Sequence, residues 1–392
     1  MPGYELVGNE ELDALKAIFT TSNGCLFAHG FPAMRNGIYR VRQFEQALAK
    51  KFSSKHCQVV TSGTAAQFVT MRALGIGPGD EVITQAFTFI ATVEAILECG
   101  ATPVVVDVDE TLNMCPTSLA AAITLKTKAI VPVHMLGNTA KMDEINTIAA
   151  QHDIPVLEDA CEALGATYKG KPVGTLGRAG FFSLDFGKTI TSGEGGFILT
   201  DDTNLFAKMA AYHDHGHMNA PNVPRGQDPA LCSGFNFRMS EMQAAVGIVQ
   251  LAKLDLIVER NRAHKHILKD AVGTAGGSLI KFRELTDPEG ELADTLMFFT
   301  PDQETAQSLV AKLAERGIGT KNVPDAMNWH FADRWAHIWK NSPLYRETYR
   351  TQWKSSASLL ERCVSLPILV NWTPDQLDLV ATKVSAAIGE LV

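Results

Sequence analysis

The sequence has no apolar run approaching the ~18 residues that a membrane-spanning helix needs, no CxxC pair, no long Lys/Arg run, no internal repeat and no low-complexity tract. Each absence removes a class of protein. Without a long apolar run, no membrane span is expected. Without a basic run, and with a net charge of -8 and a pI near 5.8, the chain lacks the electrostatic footprint of a nucleic-acid binder. The seven cysteines are scattered and odd in number, which reads as a reduced cytoplasmic chain rather than a disulfide framework. The opening "MPGYELVGNEELDALKAIF" carries acidic residues at once and has no apolar h-region, so no signal peptide is expected. Small molecules, or further copies of the chain, remain as partners.

What is present is a long chain, 392 residues with 46% hydrophobic composition, enough for one large core and a smaller one. From about residue 58, short β-branched runs alternate with helical patterns: "CQVV", "DEVITQAF", "TPVVVDVD", "KAIVPVHML" and "IPVLEDA" precede or close amphipathic segments. Strands covered on both faces need not alternate, so this order predicts βαβ crossovers and a mostly parallel sheet wrapped by helices. After "GGFILTDD" a long helix is predicted from Ser240 onward, with Ser240 and Glu241 in its first turn. A large domain is expected over residues 1–250, with an N-terminal arm, and a smaller C-terminal α/β domain over 251–392.

Three segments carry chemistry. In "TSGTAA" (Thr61 to Ala66) a strand runs into a helix, presenting free N–H groups where Gly63 permits close approach of a phosphate; the same pattern is also an ordinary turn with an N-cap. In "LEDACEALGA", Asp159 ends an apolar strand, where ligands of open α/β sheets sit; it can equally cap the next helix. Lys188, alone in the turn of "SLDFGKTITSGEGG", is a candidate amine of lowered pKa for covalent chemistry, or a surface lysine. In this chain order the three supply a phosphate anchor, a carboxylate for a pyridinium and an amine for an aldehyde, the set that pyridoxal 5'-phosphate requires.

The segments "SGTAA", "GPGDEVITQAFTFIATVEAI", "DACEALGA", "SLDFGKTITSGEGG", "DHG" and "GFNFRMSEMQAA", between about Gly8 and Thr320, resemble the DegT-type sugar aminotransferases, fold type I pyridoxal phosphate enzymes. The resemblance implies phosphate contacts from Gly63, Thr64 and Ser183, and stacking of Phe89 on the pyridine. It also implies Asp159 at the pyridine nitrogen, Glu162 beside the phenolic oxygen and Lys188 as tether and proton carrier. Asn236 is implied to reach the neighbouring subunit's cofactor in a homodimer with shared sites. Two departures stand out: Glu162 replaces a more frequent Gln or His, and Asp185–Phe186 replaces a common His-Pro.

The implied reaction moves an amino group from L-glutamate to a carbonyl-bearing sugar for surface polysaccharide or lipopolysaccharide. A dehydratase branch carries histidine in place of the lysine, so Lys188 argues for transamination. Arg35, Arg40 and Arg42 bunch near the N-terminus and suit an anionic acceptor, either an acidic octulosonate or a 4-keto or 3-keto nucleotide-sugar. The run "NWHFADRWAHIW" (Asn328 to Trp339), with His330, offers ring-stacking and polar contacts, or is a loop packed by its own tryptophans. A cofactor-binding regulatory protein without activity, and a purely structural α/β protein, are the rival classes.

Overall fold

A computed structural model describes residues 3–220 and 223–391, so the outermost residues of the two expected domains lie outside it. Seven of the strands among these residues form one mixed sheet: β1 (His56–Val60), β2 (Glu81–Gln85), β3 (Thr102–Val106), β4 (Thr127–Ile130), β5 (Leu157–Asp159), β6 (Ala179–Ser183) and β7 (Gly196–Thr200). β2 pairs in parallel with β3 and β4. Parallel bridges at Ile130–Val156 and Val133–Asp159 join the β4 segment to β5, and β5 pairs in parallel with β6. β7 is antiparallel to both β6 and β1. The order is therefore β3-β2-β4-β5-β6-β7-β1. β6 and β7 are buried at every position, which is why their sequences, "AGFFS" and "GFILT", show no alternation.

The helix Glu241–Gly276 starts at an N-cap Ser240 whose side chain accepts from Gln243, while the Gln243 side chain accepts from the Ser240 backbone N–H, a reciprocal capping box. It runs unbroken past residue 250, so the expected division at 250/251 falls inside one helix. Beyond it, β8 (Lys281–Phe282), β9 (Thr295–Phe299) and β10 (Cys363–Pro367) form an antiparallel sheet. The helices Gln303–Glu315 and Pro374–Gly389 bury Leu309, Leu313, Val384 and Ile388 in the same apolar cluster as this sheet. No helix among the described residues is long and apolar enough to cross a membrane.

The helix Arg40–Lys51 buries Val41, Phe44 and Leu48. Half-buried Glu45, on the same helix, accepts the Gln58 side-chain N–H at 2.9 Å and the Val59 backbone N–H at 3.2 Å. Burial pushes its carboxyl up to about 7, the Val59 bond and Arg42 opposing it only in part. A carboxyl raised above its ordinary value gives stability that is complete below that value and lost as pH rises through the folded-state pKa. Glu45→Gln is therefore expected to stabilise the fold by about 1–2 kcal/mol at pH 8 and to change little at pH 5. Thermal melts at the two pH values check this; an equal shift at both contradicts it.

Candidate active site

The C-terminal ends of β5 and β6, the N-terminus of the helix Gly63–Ala73 and the turn Asp185–Lys188 enclose a cavity of about 310 Å³. The cavity forms here because the strands stop and their successors turn outward. Ser62 caps the helix by accepting the Ala65 N–H at 3.0 Å. The N–H groups of Gly63 and Thr64 have no acceptor among the described residues, so this corner offers two donors and the positive end of the helix to an anion. A Cβ on Gly63 would lie 2.9 Å from Ser183 Cβ and 3.0 Å from Cys161 Sγ. Only glycine lets the loop sit this close to β6. A Cβ on Gly196 would lie 2.4 Å from the Ser62 carbonyl, so the same holds where β7 passes behind the loop.

Asp159 lies on the cavity floor and is 3% exposed. Its Oδ2 accepts from Gln67 Nε2 at 2.9 Å and Thr92 Oγ1 at 2.8 Å, and its Oδ1 accepts from the Cys161 N–H at 3.2 Å. Burial raises the Asp159 carboxyl above its ordinary value, against the pull of Thr92, Cys161 and Lys188. A buried carboxyl of this kind is completed by a cation or a protonated nitrogen. Gln67 Oε1 is a buried acceptor without a hydrogen-bond donor among the described residues.

Lys188 projects from a turn that Asp185 shapes: Asp185 Oδ1 accepts the Gly187 N–H at 2.8 Å and the Asp185 carbonyl accepts the Lys188 N–H at 3.0 Å. The Gly3 N–H donates to the Lys188 carbonyl at 2.8 Å, and Tyr4 stacks on Phe186 with ring centroids 5.6 Å apart, so the N-terminal segment lies across the turn. Lys188 Nζ is 3.7 Å from Glu162 Oε1. The expectation of a lowered amine pKa fails in the cofactor-free chain. Burial does disfavour the ammonium, but Glu162, Cys161, Asp159 and Asp185 together outweigh it and raise the pKa. Glu162 responds in the opposite sense: burial disfavours its carboxylate, and Lys188, His330 and Lys321 hold it below its ordinary value. The two residues therefore form a buried ion pair.

Phe89 is 42% exposed at the cavity wall, with its ring 5.4 Å from that of His330. An aromatic this open is a platform rather than core. His330, 7% exposed, lies 3.8 Å from Glu162 Oε1. Its Nδ1 faces the Ala326 carbonyl at 2.9 Å, to which it donates, and its Nε2 lies 3.2 Å from Asn322 Nδ2. In the same run Trp335 and Trp339 are fully buried, packed with Tyr345 and Trp353; those tryptophans are core.

Gly63, Thr64, Phe89, Asp159, Glu162, Ser183, Lys188 and His330 thus line one cavity. Four other candidates do not. Arg35 is fully buried, donating to the carbonyls of Phe27 and Ala28 and pairing with Glu241 Oε2 at 3.3 Å. Arg40 reaches Gln43 Oε1 at 2.9 Å, and Arg42 lies over the Tyr39 ring at 4.1 Å. These arginines brace the N-terminal arm: Glu241 also accepts the N–H groups of Arg40 and Val41, capping the helix Arg40–Lys51. Asn236 is exposed outside this chain's cavity, on a backbone bridge to Asp214. Reading the sequence missed Gln67, Thr92 and Asn322, which line the cavity and bond to its central residues. For Gln67 the one available signal was its place a helical turn after Gly63.

The cavity suits pyridoxal phosphate on its own chemistry: an anion corner with N–H donors, a buried carboxyl in no ion pair among the described residues, a lysine, and an open aromatic face. Comparison with known proteins agrees. Residues 33–385 match the DegT/DnrJ/EryC1/StrS aminotransferase family. The chain is 46% identical over 214 residues to GDP-perosamine synthase of Caulobacter vibrioides, a match covering 54% of this chain and 56% of that protein. It is 34% identical over 353 residues to the spore coat polysaccharide biosynthesis protein SpsC of Bacillus subtilis, covering 86% of this chain and 87% of that one. An aminotransferase structure from Psychrobacter cryohalolentis superposes with a TM-score of 0.87 at 28% identity, covering 98% of both chains. Similar solved structures hold pyridoxamine or pyridoxal phosphate. The chain therefore belongs to the DegT/DnrJ/EryC1/StrS aminotransferase family, whose fold type I site takes pyridoxal phosphate.

Proposed function

We propose that the protein transfers an amino group from L-glutamate to a keto-sugar carried on a nucleoside diphosphate, for surface polysaccharide synthesis. The observation that supports this most is the meeting of Lys188, Asp159 and the free N–H corner at Gly63 and Thr64 in one cavity. Pyridoxal phosphate, when bound, supplies an electron sink for the bonds at an amine-bearing carbon. Gly63, Thr64 and Ser183 would hold its phosphate, Asp159 its ring nitrogen and Phe89 one ring face. Lys188 Nζ would hold its aldehyde, and as the amine in the cavity wall beside Glu162 it would carry a proton to and from the donor's α carbon. Glu162, 3.7 Å away, keeps Lys188 able to hold that proton. Gln67 and Thr92, bonded to Asp159 Oδ2, fix the carboxylate.

A nucleotide-linked acceptor is supported by the 46% likeness to a protein named GDP-perosamine synthase. Arg35, Arg40 and Arg42, which suited either anionic acceptor, are engaged within the N-terminal arm of this chain and do not distinguish the two. Asn236, with exposed Phe235 and Phe27, belongs in this reading to the face that meets a second copy and serves that copy's site.

The test supplies cofactor-loaded protein with L-glutamate and, separately, 4-keto and 3-keto nucleotide-sugars and a free keto-octulosonate. Release of 2-oxoglutarate and the aminated sugar are both measured. Turnover confined to nucleotide-linked sugars is expected. Turnover with the octulosonate alone replaces the acceptor, and no turnover with any acceptor contradicts the reading.

A further inference from the structure

We propose that Arg283, which follows strand β8 in the C-terminal sheet, is a positioning residue: it holds the backbone turn Met135–Gly137 in the shape that aims Glu162 at Lys188. This rests on the reading of Lys188 as the reacting amine.

Arg283 is 5% exposed. A guanidinium buried this deeply normally has a carboxylate beside it, yet no ion pair includes Arg283 among the described residues. It spends its donors on the turn: Nη1 donates to the Met135 carbonyl at 3.1 Å and touches Met297 Sδ at 3.0 Å, and Nη2 donates to the Leu136 carbonyl at 3.0 Å. Its backbone N–H donates to the Met297 carbonyl at 3.1 Å, which anchors it to β9. The planar fork bridges two successive carbonyls, a geometry that lysine cannot reproduce.

The turn needs such a brace. Leu136 sits at φ 48°, ψ 50°, the left-handed region that a bulky residue enters only against a steric cost. The turn also runs beside the catalytic segment. The His134 N–H donates to the Asp159 carbonyl at 2.9 Å and the Gly137 N–H to the Glu162 carbonyl at 3.0 Å. The Leu136 N–H donates to Glu162 Oε2 at 3.4 Å. This last bond depends on the left-handed turn, and it leaves Glu162 Oε1 facing Lys188 at 3.7 Å and His330 at 3.8 Å.

The other ionisable groups acting on this pair are Cys161, Lys321, Asp294, Asp159 and Asp185, together with the Arg283 guanidinium, whose charge and that of Glu162 favour each other. Lys321 is held by Asp294 Oδ2 at 2.8 Å and Thr295 Oγ1 at 2.6 Å, and Asp185 by its own turn. None of these hydrogen bonds is made to the Met135–Gly137 turn, but the Asp294 segment packs on it: the Leu292 N–H donates to the Gly137 carbonyl at 3.0 Å, and a Cβ on Gly137 would lie 3.1 Å from Asp294 Oδ1. Arg283→Lys, which keeps the charge and loses the fork, therefore separates the brace from the charge. Arg283 thereby makes the C-terminal sheet a support of the cavity and not only its neighbour.

The experiment follows the pH titration of the absorbance band of cofactor-loaded protein in wild type, Arg283→Met, Glu162→Gln and the double variant, with thermal melts of each. Removing the brace frees Glu162 and weakens the stabilisation of positive charge at Lys188, so Arg283→Met is expected to lower the apparent pKa by roughly one unit. Glu162→Gln should lower it comparably, and the double variant no further. Adding Leu136→Gly to Arg283→Met is expected to restore part of the shift, because glycine adopts the left-handed turn without a brace. Should Arg283→Met fail to fold, Arg283→Lys is expected to shift the titration in the same direction. An unshifted titration in a variant that merely melts earlier overturns the proposal, as do shifts from Arg283→Met and Glu162→Gln that simply add. Absence of the band from wild type is a different failure, that of the functional reading itself.

Discussion

Lys188→Ala is expected to abolish amino transfer, with the rate falling by roughly 10⁴-fold or more, since both the covalent tether and the proton carrier disappear. The side chain is 16% exposed and faces the cavity, so its removal leaves the surrounding strands in place. What changes is charge. Lys188 is the foremost of the charges that hold the Glu162 carboxyl below its ordinary value against burial, and without it that carboxyl rises. Added free amines should restore a small part of the activity, because the alanine leaves space for one. Steady-state rates with and without a small alkylamine, beside a thermal melt, measure this. A variant that retains a tenth of wild-type activity contradicts the role given to Lys188.

Asp159→Asn is expected to cost roughly 10²- to 10³-fold in the glutamate half-reaction and to weaken cofactor binding. The amide is nearly isosteric but cannot carry the negative charge that holds a protonated ring nitrogen. Asp159→Ala adds a structural loss of about 2 kcal/mol, as Gln67 Nε2 and Thr92 Oγ1 lose their shared acceptor. A pH signature separates charge from packing. The Asp159 carboxyl is raised above its ordinary 3.8 by burial, so its contribution to cofactor-free stability is full below that value and is lost as pH rises through the folded-state pKa. A cation against it removes this penalty. The rise in Tm on loading with cofactor should therefore grow from pH 4.5 to pH 7.5 in wild type and stay flatter in Asp159→Asn. Equal pH dependence in the two proteins contradicts the assignment.

Much of the scaffold could be read from local pattern. The buried strands announce themselves as short apolar runs, and Asp159 and Lys188 lie where such runs stop. Ser62 and Ser240 signal their helices through hydroxyls placed just before the first turn. Other features depend on partners distant in the chain. Three arginines within eight residues look like an anion site until Glu241, folded in from the long helix, takes Arg35 and caps the helix that carries Arg40 and Arg42. Lys188 looks like a desolvated amine of lowered pKa until Glu162 arrives beside it. Gln67 and Thr92 occupy ordinary helical segments, and nothing near them in sequence points to Asp159. Strand β10 was missed because it ends in proline and follows the helix Lys354–Glu361 after a single residue, with no turn signal between them.

The central claim is that Lys188 tethers a cofactor that accepts the amine of L-glutamate. The most direct test is the absorbance spectrum of reconstituted wild-type protein before and after L-glutamate, with 2-oxoglutarate assayed in the same sample. The account predicts a cofactor band that L-glutamate converts to the pyridoxamine form, with 2-oxoglutarate released in stoichiometric amount and no such change in Lys188→Ala. A reconstituted protein with no band, or a band that L-glutamate leaves unchanged, would contradict it.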